Sequence, residues 1–195
     1  MLASITPLGE RGRGNRWITT AALFIAASTA AGAALGSALA ALGSLTAGRL
    51  GIGWRLGLLG AVLALGVALE LRRRAVPGPR RQVNERWLDE YRRWIYAVGF
   101  GAQLGIGVLT IVVTSAVYGV WAAALLSAHP AVGGAIGAVA GATRGATILA
   151  GAWSTSPQRL VGLHERLHSL QRPVRRCTLI AQLALVGVAA VGVVT

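Results

Sequence analysis

Residues 131–153 read AVGGAIGAVAGATRGATILAGAW, and this stretch indicates the class of fold. Arg144 is its one charged residue, and the stretch exceeds the roughly 20 helical residues that cross a hydrocarbon layer of about 30 Å. Glycine recurs at every fourth position, so these residues share one face of a helix: Gly133, Gly137, Gly141 and Gly145. The pattern predicts a membrane-spanning helix whose glycine face packs closely against another helix.

The remainder of the chain belongs to the same class. Of its 195 residues, 54% are hydrophobic and 13% are charged, which is too apolar for a soluble domain of this size. Four more stretches reach or approach spanning length, so the predicted spans are residues 17–43, 50–71, 95–126, 131–153 and 178–194. We predict an all-α fold over residues 1–195, a single polytopic membrane helix bundle of about five transmembrane helices.

The arginines predict the orientation of the bundle. All 19 basic residues are arginine, and most lie before the first span or in the loops 72–94 and 154–177. Short basic loops stay in the cytoplasm, which predicts a cytoplasmic N-terminus. Because the chain is rich in alanine, glycine and arginine and has no lysine, it is typical of a GC-rich bacterium, and we expect a multi-pass inner (plasma) membrane protein. Alternatively, residues 11–40 are a cleaved signal peptide.

Each cytoplasmic loop is predicted to contain a helix at the membrane surface. In residues 84–94, an asparagine in capping position precedes three aromatic residues that share one helix face: Trp87, Tyr91 and Trp94. Aromatic rings prefer headgroup depth, and the arginines beside them can meet anionic lipid. We therefore expect anionic headgroups to be a partner of this side of the protein, and we expect no binding to nucleic acid.

The second loop carries a sharper motif. Ser156 and Pro157 are suited to begin a helix, and Pro173 is expected to end it. His164, Glu165 and His168 in this helix fit H-E-x-x-H, a zinc-binding pattern of metalloproteases. A third ligand would have to come from the other loop, and four leucines form an apolar stripe typical of a surface helix: Leu160, Leu163, Leu167 and Leu170. We therefore assign no catalytic residue, no metal and no cofactor.

Of all the residues in the sequence, Arg144 is the most informative about function. A guanidinium inside a membrane span costs at least about 2.5–3.5 kcal/mol, so the Arg144 side chain should face protein or water. Glu70 is the only carboxylate in or beside a predicted span and is the obvious ionic partner. A stripe on the third span could supply further acceptors: Gln103, Thr110 and Thr114. This set either lines a transport path or forms a structural polar core, and the sequence leaves both open.

Glycine faces occur on other spans as well. Gly32 and Gly36 lie one turn apart on the first span, and Gly101 and Gly105 on the third. Small residues at this spacing allow the backbones of two helices to approach closely. The partner could be another helix of the same chain or a second copy, so we also expect a homo-oligomer or a membrane complex.

The start of the third span has a partial family resemblance. Residues 99–107 read GFGAQLGIG and lead into Thr110 and a helix of small residues. Over residues 99–123 the chain resembles the cytochrome c biogenesis and DsbD-type thiol-electron carriers. That resemblance implies a transport-like scaffold. Those carriers use two membrane cysteines, whereas this chain has the single Cys177, so the redox function should be absent.

Three functions follow as hypotheses. The first is a transport-type module for a small solute or ion that uses Arg144 and the stripe on the third span. The second is a non-catalytic anchor or assembly subunit of a larger complex. The third is a zinc-dependent membrane protease, although we expect no enzyme.

Overall fold

The computed structural model describes residues 5–72, 90–107 and 114–194. Across these ranges the chain forms helices and no strand. The helices are α1 (Pro7–Gly12), α2 (Trp17–Thr46), α3 (Ile52–Leu71), α4 (Arg93–Ile106), α5 (Ala116–Ser127), α6 (Pro130–Ala146) and α7 (Pro157–Val194). Four of them, α2, α3, α6 and α7, are long and apolar enough to cross a membrane. This confirms the predicted class, an all-α membrane bundle.

Helix α2 lies at the centre of the bundle, between α4 and α6. It runs parallel to α4, and a Cβ added at Gly101 or Gly105 would collide with the backbone of Phe24 or Ser28 on α2. The glycines therefore set the distance between the two helices, because any larger residue would push them apart.

The glycine face of α6 packs against α2 of the same chain. The two helices run antiparallel, and the facing glycines are so close that a Cβ on any of them would overlap the opposite helix: Gly32, Gly36, Gly133, Gly137 and Gly141. The Ser28 hydroxyl also donates to the backbone oxygen of Gly141 at 2.7 Å. The choice that the sequence left open, between a neighbouring helix and a second copy, is thus resolved for this face in favour of α2.

Helices α3, α5 and α7 form the other half of the bundle. The Leu63 side chain of α3 lies beside Gly119 of α5, and Ala189 of α7 lies beside Gly60 of α3. Helix α7 has 38 residues, which corresponds to about 57 Å at 1.5 Å per residue. This is nearly twice the thickness of a hydrocarbon layer. The first half of α7 is largely exposed and extends past the end of α3.

Two predicted boundaries differ from the structure. The prediction that Pro173 ends its helix is wrong, because α7 continues through this residue. A proline removes one backbone hydrogen bond, but the carbonyl that loses its partner belongs to Ser169, which is exposed to solvent. In the described residues of the predicted third span, 95–126, helix α4 ends at Ile106 and a second helix, α5, begins at Ala116. Thr110 and most of the predicted surface helix of residues 84–94 lie outside the described residues.

A buried carboxylate near the N-terminus corrects the statement that Glu70 alone lies beside a span. Glu10 of α1 has no exposed surface, and its carboxylate accepts hydrogen bonds from Thr20 of α2 at 2.7 Å and Tyr96 of α4 at 2.9 Å. Arg13 forms an ion pair with Glu10 at 2.7 Å. Burial disfavours the charged form of Arg13, but its hydrogen bond and its Coulomb attraction to Glu10 prevail, so the pKa of Arg13 is raised. The carboxylate therefore fixes α1 to the bundle.

Candidate functional site at a helix break

The site lies where the predicted third span is divided. Helix α4 ends at Gly107, which adopts a left-handed conformation with φ of 77° and donates its N–H to the Gln103 carbonyl at 3.2 Å. Only glycine adopts this conformation at no steric cost. Helix α5 begins after Ser115. The carboxyl end of a helix carries a partial negative charge and the amino end a partial positive charge, so the break creates two charged helix ends inside the bundle.

Glu70 of α3 meets the amino end of α5. Its Oε1 atom accepts three hydrogen bonds, from the Ser115 backbone N–H at 2.6 Å, the Ser115 hydroxyl at 2.7 Å and the Thr114 hydroxyl at 2.8 Å. Glu70 is 5% exposed. This approach requires the glycine at position 66, because a Cβ there would lie 2.8 Å from the Ser115 side chain. A carboxylate at the amino end of a helix is stabilised by the partial positive charge of that end.

Helix α7 completes the surroundings of Glu70. Arg175 donates to the backbone oxygen of Glu70. The Gln182 side-chain amide lies 3.3 Å from the Ser115 hydroxyl and is buried. Glu70 and Ser115 thus connect three helices through buried polar contacts. Buried polar groups with satisfied hydrogen bonds stabilise one specific packing arrangement.

Arg144 of α6 meets the other end of the break. Its guanidinium lies against Gly107, at the carboxyl end of α4, and a Cβ added at Gly107 would collide with it. This is the end at which a positive charge is favourable. The predicted partners do not pair with it: Glu70 binds Ser115 instead, and neither Gln103 nor Thr114 accepts a hydrogen bond from Arg144. Among the described residues no hydrogen-bond acceptor or ion-pair partner of this guanidinium is found.

A cavity of about 360 Å³ opens beside Arg144, between α5 and α6. Its lining is mostly apolar, although two of the side chains carry a hydroxyl group. The described lining residues are Thr114, Ala116, Val117, Val120, Trp121, Ala140, Thr143 and Arg144. Trp121 is 8% exposed, and its indole Nε1 is buried without an acceptor in the part of the chain that the structure describes. The lining of the cavity therefore includes a guanidinium and a tryptophan, and neither the guanidinium nor the buried indole N–H has a hydrogen-bond partner among the described residues.

The predicted site residues are only partly brought together. Thr114 and Arg144 line the same cavity, and Thr114 also contacts Glu70. Gln103 lies on α4, so it does not share one continuous helical stripe with Thr114. Three contributors were not predicted: Ser115, Arg175 and Gln182. Gln182 had a sequence signal, because a lone glutamine in an apolar span usually bonds across helices.

The described residues supply no further ligand for the zinc site predicted from the H-E-x-x-H pattern. His168 is exposed on the first half of α7, and the His164 side chain is not among those described. In the described ranges there is no group of three or more histidine, cysteine, aspartate or glutamate side chains that could hold a metal ion. The H-E-x-x-H pattern stays a prediction from sequence.

Comparison of the chain with known protein families, curated proteins and solved structures finds no match. The resemblance of residues 99–123 to thiol-electron carriers therefore stays a prediction. Any functional conclusion depends on the geometry of the helix break and its cavity.

Proposed function

We propose that the protein is a transport-type module that moves a small solute or ion across a membrane. The helix break supports this, since its two ends are matched by opposite charges beside a cavity. Discontinuous helices at the depth of a bilayer are costly unless their freed backbone groups are satisfied. In secondary transporters such half-helix ends form the sites that bind substrates and ions.

The two charged residues have different roles in this proposal. Glu70 already accepts three hydrogen bonds and lies beside Arg175, so it is a positioning residue that holds the amino end of α5. Arg144 has no such set of partners among the described residues, and it lines the cavity. Arg144 is therefore the group that contacts the solute.

The remaining expectations are part of the same proposal. A cytoplasmic N-terminus in a bacterial inner membrane places the arginine-rich loops on the side of anionic lipid headgroups. We also propose a homo-oligomer, formed through surfaces other than the glycine faces. The anchoring alternative loses support, because the glycines that suggested it on α4 and α6 are covered by α2 of the same chain.

Flux through reconstituted vesicles tests the proposal. Lipid vesicles that contain the protein would be loaded with labelled rubidium, chloride, glycine or butyrate, and release would be compared with that of protein-free vesicles. We expect faster release of at least one probe, and a loss of that release in Arg144→Gln. Arg159→Gln, at an exposed position of α7, is the matched control and should retain it.

Two results would contradict the proposal. If none of the four probes leaves vesicles that contain folded protein faster than protein-free vesicles, the transport function is not supported. If Arg144→Gln releases the active probe at the rate of the original protein, Arg144 does not contact the solute.

A further inference from the structure

We infer that the cavity beside Arg144 binds a small organic monocarboxylate. The inference rests on the proposed transport function, because it names the class of solute that this site would accept. It depends on three properties of the described lining: its donors, its charge and its apolar surface.

The donors point to a ligand that supplies acceptor atoms. The guanidinium of Arg144 offers up to five N–H groups and cannot accept a hydrogen bond. Trp121 is another residue of the lining, and its indole N–H is buried and has no acceptor among the residues described. A buried donor without an acceptor costs about 1–3 kcal/mol, so such groups in a folded protein call for an explanation. A bound carboxylate would supply acceptor oxygens to the guanidinium, next to this tryptophan.

The charge of the site indicates a monoanion. Arg144 is the one charged side chain in the described lining. Glu70 lies outside that lining, and its carboxylate is held at the amino end of α5. A single guanidinium neutralises one negative charge. A divalent inorganic anion would keep an uncompensated charge in a mostly apolar cavity, which is strongly unfavourable.

The apolar lining indicates an organic body. Val117, Val120 and Ala140 provide apolar surface, and the two lining threonines already donate their hydroxyl hydrogens elsewhere. Thr114 donates to Glu70 at 2.8 Å and Thr143 to the Val139 carbonyl at 2.8 Å. A volume of about 360 Å³ is at the lower end of ligand-binding pockets. A short hydrocarbon chain or a single ring with one carboxylate matches this combination.

Binding can be measured at Trp121 itself. The full-length protein would be labelled with ¹⁵N at its tryptophans in detergent micelles, and the indole N–H resonances would be followed as sodium butyrate is added. Trp121→Phe identifies the resonance of Trp121 by its disappearance. Butyramide, which has a similar shape and no charge, is the matched control ligand, and sodium sulfate tests the divalent anion.

We expect butyrate to shift the Trp121 resonance and butyramide and sulfate to leave it in place. Loss of a charged hydrogen-bond donor costs about 1.5–3 kcal/mol, so Arg144→Gln should weaken butyrate binding about 10- to 100-fold. Arg159→Gln, on the exposed half of α7, should bind butyrate as the original protein does. Should Trp121→Phe fail to fold, Arg144→Lys provides a second test, with weaker but measurable butyrate binding.

The inference is wrong if butyrate leaves the Trp121 resonance unmoved, as it would if a lipid chain filled the cavity. It is also wrong if butyramide binds as tightly as butyrate, because the charge would then be irrelevant. These results are separable from the transport proposal. Butyrate binding without any flux supports this site and contradicts transport, whereas flux of another probe without butyrate binding supports transport and contradicts this site.

Discussion

Replacement of Glu70 tests whether a carboxylate holds the amino end of α5. Its Oε1 accepts three hydrogen bonds, and bonds to a charged acceptor contribute about 1.5–3 kcal/mol each against about 0.5–1.5 kcal/mol for neutral ones. In Glu70→Gln the amide oxygen can still accept, so the free energy of unfolding should fall by about 1–3 kcal/mol. Glu70→Ala should lower it by about 3–5 kcal/mol, because the bonds to a charged acceptor are lost and a buried N–H is left without an acceptor.

The difference between the two variants follows from the geometry. In Glu70→Ala, the hydroxyls of Thr114 and Ser115 can rotate toward other partners. The backbone N–H of Ser115 is fixed, so it becomes a buried donor without an acceptor. The measurement is unfolding by sodium dodecyl sulfate in mixed micelles, followed by helical circular dichroism. Glu165→Gln, at an exposed position on α7, is the control and should change stability by less than about 0.5 kcal/mol.

A double-mutant cycle makes the test specific. Glu70→Gln combined with Ser115→Ala should show a coupling energy of at least about 0.5 kcal/mol, because the two side chains share a hydrogen bond of 2.7 Å. If Glu70→Ala is no more harmful than Glu165→Gln, or if the coupling is zero, the carboxylate does not hold α5 and the reasoning fails.

Two further predictions concern the packing of α2. Gly137→Ala places a Cβ on the backbone of α2 and should destabilise the protein by about 1–3 kcal/mol in the same unfolding assay. A Cβ added at Gly187 has no atom within 4 Å, so Gly187→Ala should leave the stability unchanged or raise it by up to about 1 kcal/mol. Equal effects of the two changes would contradict the close contact between α2 and α6. Tyr96→Phe removes the hydroxyl that donates to Glu10 at 2.9 Å, so the free energy of unfolding should fall by about 1.5–3 kcal/mol, measured by thermal unfolding. A fall of less than about 0.5 kcal/mol would contradict that hydrogen bond.

The helix faces were predictable because their signal is local. Glycines four residues apart share a face in any helix, so Gly133 to Gly145 define a packing surface before a partner is known. The identity of the partner was not predictable, since it depends on which helices lie side by side. The structure supplies this information by placing Gly32 and Gly36 of α2 opposite that face.

The helix break was not predictable for a different reason. The chain contains 27 glycines, and Gly107 is flanked by apolar residues with no proline beside it. Its left-handed conformation is visible only in three dimensions. The same holds for Glu10, whose acceptor role involves Tyr96, a residue 86 positions away in the chain. Thr6 and Pro7, which are a typical helix start, could have indicated α1 but not the burial of its carboxylate.

The asymmetry between the two ends of the break carries the functional argument. A continuous helix would have satisfied its own backbone groups and required no charged neighbour at this level. The protein instead places Glu70 at one end and Arg144 at the other, and each has the sign that its helix end favours. If both were purely structural, both should have hydrogen-bond partners within the protein, as Glu70 has at its Oε1 atom. Arg144 instead lines a cavity, as does Trp121, whose indole N–H has no acceptor among the described residues, and this difference from Glu70 is the reason why we propose Arg144 as the residue that binds an anion.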